Sequence, residues 1–141
     1  MNRLCHDAGT SETGGILIGS YSDDLSVAFV REATPPPSDS RRGPSWFVRG
    51  FGDLRNVLSK RWRAKPRTHY LGEWHFHPAV LVEPSDEDFA QMVEISTAKQ
   101  YNCREPLLLI VGAVGKDRSQ PLRAFVCPAG GKPLECLPKI E

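Results

Sequence analysis

The chain predicts an α+β, or mixed α/β, fold built on a mostly antiparallel sheet flanked by helices. Short apolar runs bounded by turn residues alternate with two stretches of helical periodicity, and the first two runs lie close enough to form a hairpin. At 141 residues the chain suffices for one core and is short for two, so residues 1–141 are read as a single domain. Hydrophobic content of 40% and charged content of 25% are those of an ordinary globular protein, which excludes disorder as the default.

The elements follow in order. Residues Gly15 to Tyr21 and Leu25 to Arg31 are the two strands of the hairpin, with Ser22-Asp23-Asp24 as its turn. Thr34 to Pro44 is rich in proline and polar residues and predicts an exposed loop. Trp46 to Arg49 reads as a strand. Asp53 is a suitable N-cap for a helix with Leu54, Val57, Leu58 and Trp62 on its apolar face, ending before Pro66. Arg55, Lys60, Arg61 and Arg63 are left for its wet side. Thr68 to His75 is apolar enough for a central strand. Ser85 can cap a second helix with Phe89, Met92, Val93 and Ile95 on one face, and Asp86, Glu87 and Asp88 fall in the first turn, where the helix dipole favours negative charge. Pro106 opens the buried strand Leu107 to Gly112, Leu122 to Cys127 is a further strand, and the segment from Pro128 onward reads as loop.

Charge and composition exclude several function classes. A net charge of +1 and the lack of a recognised motif give no reason to expect nucleic acid as a partner. No run approaches the roughly 18 to 20 apolar residues of a membrane span, and Met1 to Asp7 lack a signal peptide's apolar segment, so a cytoplasmic protein without a membrane partner is expected. Cys5, Cys103, Cys127 and Cys136 form no C-x-x-C pair, which predicts free, partly buried thiols.

The chemistry concentrates in Gly72 to Pro78 and Pro84 to Asp88. On an extended strand His75 and His77 point to one side and Phe76 to the other. A loop and the first turn of a helix can bring Asp88 back to the same ion. Two imidazoles and a carboxylate, with a fourth position for water, are how hydrolytic zinc sites are commonly built, which predicts one Zn²⁺ held by His75, His77 and Asp88. A proton acceptor is also needed. Glu12 is the candidate, because Gly14 and Gly15 after it let the backbone pass close to the metal. Glu73 competes, since it can share a face with His75, or it can pair with a basic neighbour. Ser85 can cap the helix or donate a hydrogen bond to the oxyanion of a tetrahedral intermediate.

With these residues in view, the chain resembles the JAB/MPN metalloproteases and their JAMM signature, a Glu followed downstream by H-x-H, seven residues, then S-x-x-D. His75-Phe76-His77, residues 78–84 and Ser85-Asp86-Glu87-Asp88 meet that spacing, and Glu12-Thr13-Gly14-Gly15-Ile16-Leu17-Ile18-Gly19 resembles the Glu-bearing segment. The resemblance runs from about Glu12 to Cys127. It implies a JAB/MPN-type, cytidine deaminase-like domain with His75, His77 and Asp88 as zinc ligands, Glu12 as general base and acid, and Ser85 as oxyanion partner. Tyr70-Leu71-Gly72-Glu73-Trp74-His75 is similar to a bacterial branch found beside ubiquitin-activating-like and conjugating-like enzymes, including those of antiphage defence. That branch implies a deubiquitinase-like isopeptidase releasing a ubiquitin-like protein from its conjugate. Two departures stand out. Only residues 1–11 precede Glu12, where the family usually has a strand and most of a helix, which implies either a misassigned or shortened start or a truncated N-terminal helix supporting Glu12. The segment Ala79 to Glu83 is more apolar than expected, and packs either on substrate or on the neighbouring strand.

A ubiquitin-like tail would lie extended, with the loop from Pro35 to Pro44 or the segment after His77 forming its channel by β-augmentation. Arg41 and Arg42, or Arg61, Arg63, Lys65 and Arg67, are either a surface for an acidic partner or solvated charges. The alternative functions are processing of a ubiquitin-like or sulfur-carrier precursor, and a catalytically silent MPN-type scaffold.

Overall fold

The computed structural model describes residues 1–78 and 82–140. Six strands form one sheet: β1 (Thr13–Tyr21), β2 (Ala28–Ala33), β5 (His69–His77), β6 (Leu107–Gly112), β7 (Leu122–Val126) and β8 (Leu134–Cys136), in the order β2-β1-β5-β6-β7-β8. Between β2 and β5 come a two-stranded ribbon, β3 (Arg41–Gly43) with β4 (Trp46–Val48), and helix α2 (Leu54–Arg63). Helix α1 (Asn2–Ala8) precedes β1, and helix α3 (Asp86–Thr97) and a short 3-10 helix (Lys99–Tyr101) cross from β5 to β6. That crossover makes β5 and β6 parallel; the other neighbours in the sheet are antiparallel, as the sequence predicts.

Alternation along the central strands divides the core in two. Ile16, Ile18, Tyr70, Leu108, Ile110 and Phe125 face Met92 and Ile95 of α3 and Leu54, Val57 and Leu58 of α2. Leu17, Leu71, Trp74, Phe76 and Val111 face Cys5 and Ala8 of α1. Helix α1 is seven residues long and places Cys5 and Ala8 in this second core. The phase of β5 changes once. Leu17 pairs with Gly72 but Ile18 pairs with Tyr70, so Leu71 is an extra residue, a bulge, opposite β1. Gly72 makes it possible, because a Cβ there would sit 1.9 Å from the carbonyl oxygen of Leu107.

Several expectations need correction. The hairpin turn is longer than Ser22 to Asp24 and β2 starts at Ala28, because Asp24 gathers Ser22 Oγ, Ser26 N–H and Ser26 Oγ while Leu25 takes a positive φ of 60°. Arg41 to Gly43, assigned to a loop, pair with β4, and Leu134 to Cys136 pair with β7 as an edge strand. Asp53 occupies the N-cap position of α2 without capping through its side chain, which accepts instead from the Asn56 amide. Trp62 and Val93 are exposed, at 53% and 59%; Trp62 stacks beneath Arg67 instead of entering the core. Arg61 is not free for a partner, since its guanidinium grips both oxygens of Glu32 at 2.7 and 3.0 Å. The four cysteines are free, two of them buried. Of the apolar segment 79–83, Ala79, Val80 and Leu81 lie outside the described residues, while Val82 is buried in the α3-facing core. Among the described residues no helix is long and apolar enough to cross a membrane.

Two outcomes test this architecture. Gly72→Ala should destabilise the protein by about 1–3 kcal/mol in urea titration, since the added methyl meets backbone that cannot yield cheaply. The Arg61 hydrogen bonds and charge, against a smaller burial effect, hold the Glu32 carboxyl below its ordinary range. Its stabilisation is therefore complete above the unfolded value of about 4.3 and is lost as pH falls through the lower folded value. Glu32→Gln should cost a few tenths of a kcal/mol at neutral pH, the scale of an exposed pair, and the difference from wild type should vanish in acid.

Candidate metal centre

The last half of β5 runs between β1 and β6 and is buried on both faces. Its alternation sends Trp74 and Phe76 toward α1 and leaves Glu73, His75 and His77 on the α3 side. Helix α3 then brings its first turn to the imidazoles. Ser85 caps it in a reciprocal arrangement, with Ser85 Oγ accepting from Asp88 N–H at 3.1 Å and Asp88 Oδ2 accepting from Ser85 N–H at 2.7 Å. This capping box gives S-x-x-D a structural reason: it orients the Asp88 carboxylate.

His75, His77 and Asp88 are all buried and come together. Asp88 Oδ1 lies 2.6 Å from His75 Nδ1, Asp88 Oδ2 lies 3.4 Å from His77 Nε2, and one ligand atom from each of the three residues falls within 4.8 Å of the others. Among the described residues, this is the one such cluster of three or more metal-ligating groups. Burial opposes ionisation of Asp88, but hydrogen bonds from His75 and His77 and the Ser85 amide outweigh it and hold the carboxyl well below its usual range. Burial likewise disfavours a charged His77, and Asp88 with Glu12 reverses that, raising its pKa. His75 Nε2 is buried without a hydrogen-bond partner among the described residues.

The other predicted residues sit around the cluster. Glu12 precedes β1, half-buried, next to Thr13, which pairs with Phe76 between the two imidazoles; burial raises its pKa, against the lowering by His77 and His75 and with a further rise from Asp88. Its amide donates to the Gly43 carbonyl of the ribbon at 2.8 Å. Gly14 pairs with His75, and a Cβ there would lie 2.9 Å from the imidazole Cδ2 and 2.4 Å from the Trp74 carbonyl oxygen, so the close approach the sequence suggests is against the imidazole strand itself. Ser85 is exposed, and its hydroxyl, which accepts from Asp88, keeps its own proton for another acceptor. Glu73 is occupied: Arg49 Nε donates to Oε2 at 2.6 Å and the Tyr70 hydroxyl to Oε1 at 2.7 Å. Of the two roles open to it, Glu73 takes the pairing role.

Two neighbours escaped the sequence reading. Phe47 lays its ring edge-on against His75, centroids 5.6 Å apart at 75°, and Arg49 reaches Glu73 from just beyond β4. A glutamate in the middle of an apolar strand demands a buried cation, which was a usable signal for Arg49; nothing local marks Phe47.

The fold and this cluster place the chain in an identifiable class: it belongs to the prokaryotic homologs of the JAB domain, whose sequence profile matches residues 1–127. It is 47% identical over 130 residues to a protein of Enterobacter hormaechei subsp. hoffmannii (strain UCI 50) named CD-NTase/cGAS isopeptidase, across 92% of this chain and 71% of that one. A protein of the same name from Pseudomonas aeruginosa (strain BWHPSA011 / Pa011) is 36% identical over 103 residues, across 72% of this chain and 63% of the relative. The solution structure of protein DSY2949 from Desulfitobacterium hafniense superposes with a TM-score of 0.64 at 22% identity, over 96% of this chain and 82% of that one, a likeness of fold.

Ser85→Ala should cost about 1 kcal/mol in thermal or urea unfolding through loss of the cap. No measurable loss would mean that the box does not hold Asp88.

Proposed function

We propose that the chain is a zinc-dependent isopeptidase of the JAMM type, a hydrolase that cuts the bond following the C-terminus of a ubiquitin-like protein attached to another protein. The observation that carries this reading is the meeting of His75, His77 and Asp88 in one buried cluster, with Glu12 adjoining Thr13, the β1 partner of Phe76 between the two imidazoles. The donor set suits zinc: two imidazoles and a carboxylate gathered in one buried cluster, with His75 Nε2 buried and without a hydrogen-bond partner among the described residues. His75, His77 and Asp88 would hold the ion. When bound, zinc supplies Lewis acidity, polarising a carbonyl oxygen and acidifying water toward neutral pH.

The chain's own residues do the rest. Glu12, whose pKa burial raises, would accept the proton that the attacking water gives up and return it to the departing amine. Ser85 uses its remaining O–H to stabilise the carbonyl oxygen as it gains charge, while its lone pair keeps the helix capped. The two relatives are named CD-NTase/cGAS isopeptidases, which supports a CD-NTase as one side of the conjugate; a ubiquitin-like protein as the other side, and a place in antiphage defence beside activating-like and conjugating-like enzymes, are what the resemblance of Tyr70 to His75 adds.

Chelation should abolish cleavage of a lysine-linked conjugate and zinc should restore it. His77→Ala should lose the metal, whereas Glu12→Gln should keep it and lower turnover by about 10²–10⁴-fold, and Ser85→Ala by about 10²–10³-fold. Faster cleavage of a linear fusion than of the lysine-linked conjugate would favour precursor processing. Bound zinc without hydrolysis of either, unaffected by Glu12→Gln, would leave the silent scaffold.

A further inference from the structure

We infer that Arg49 and Glu73 are a positioning pair: their buried ion pair locks the β3–β4 ribbon onto the central strand and thereby sets where Glu12 and His75 stand relative to each other, an inference that rests on the hydrolase reading above. The ribbon needs such a lock. Its strands are three residues each, and an isolated two-stranded ribbon is marginal in water. Across residues 41–52 Arg49 is the only buried residue that is not glycine, while Arg41, Arg42, Trp46, Val48 and Phe51 are exposed.

The ribbon's placement reaches the candidate site at two points. Gly43 accepts the amide hydrogen of Glu12, and Phe47 packs edge-on against His75. A shift of the ribbon therefore moves the backbone of the proposed proton carrier and releases one side of a proposed ligand together.

Arg49 is bound in several directions at once. Nε meets Glu73, one terminal nitrogen donates to the Gly50 carbonyl, the other donates to the Tyr101 hydroxyl, and the guanidinium lies 5.3 Å from the Phe51 ring centroid and 5.7 Å from that of Tyr101. Glu73 is equally constrained, with one oxygen on Arg49 and the other on Tyr70, and it sits at the position next to His75 on the same face of β5. A buried pair of this kind adds little net stability over an apolar pair of similar volume, but it is directional. Lysine, with a single point charge, could neutralise Glu73 without holding the same angles.

The test pairs Arg49→Met with Glu73→Gln, which removes both charges and keeps an acceptor for Tyr70. Amide hydrogen exchange of the zinc-loaded protein is followed by NMR, with Arg49→Lys in parallel. The expected result is a folded double variant that retains zinc, in which the Glu12 amide exchanges at least about tenfold faster while the β5–β6 ladder stays protected. Turnover should drop by up to about 10²-fold with KM little changed, the scale of a misplacement near 1 Å. Arg49→Lys should show the same local loosening in smaller degree, and it carries the comparison by itself if the double variant does not fold. A Glu12 amide as protected as in wild type, in either folded variant, overturns the inference. Wild-type protein without zinc-dependent hydrolysis would instead sink the hydrolase reading, and the exchange comparison would still decide the role of the pair.

Discussion

The Asp88 carboxylate is the junction on which the site depends. One oxygen accepts from the Ser85 amide, which closes the first turn of α3, and the other meets the His75 imidazole on β5. A helix and a strand that are neighbours in sequence are thereby joined through a group that would be costly to bury alone. The acidic first turn, Asp86, Glu87 and Asp88, lies where the helix dipole favours it, and only Asp88 of the three turns inward. Without that carboxylate the cluster would be two imidazoles with no anionic ligand between them.

The site also shows how two kinds of buried polarity are managed on one strand. Glu73 is closed off, with both oxygens engaged and a cation against it. His75 is left open, with one nitrogen engaged and the other without a partner among the described residues. A fully satisfied buried group rigidifies its surroundings, whereas an unsatisfied one is costly and calls for a reason. Placing the two kinds at successive inward positions puts a rigid neighbour beside the open one.

Much of this was legible in the sequence, and the residues show why. His75, His77 and Asp88 could be grouped because strand alternation and helix capping are local rules that act over a few residues. The central strands could be found because both their faces are apolar. Arg41 to Gly43 and Leu134 to Cys136 could not, since a short edge strand exists only through the neighbour it pairs with. Trp62 and Val93 were misplaced because helical periodicity marks an apolar stripe without saying how much of it the sheet covers. Arg49 and Glu73 are far apart in the chain and their pairing is a tertiary fact, although the need of Glu73 for a cation was visible. Glu12 rested on the family resemblance more than on its surroundings, which supply only two glycines.

The extra residue at Leu71 has a consequence for how the strand can change. Tyr70 and Glu73 are an odd number of positions apart and still meet, because the parity of inward and outward positions flips between them. The hydroxyl of one half of the strand thus supports the carboxylate of the other. Residues ahead of the flip obey one rule of facing and those after it the opposite rule. The end of the strand that bears the imidazoles is therefore insulated from slippage at its start: a frame error among the first residues can be absorbed at the irregularity instead of turning His75 and His77 out of the cluster.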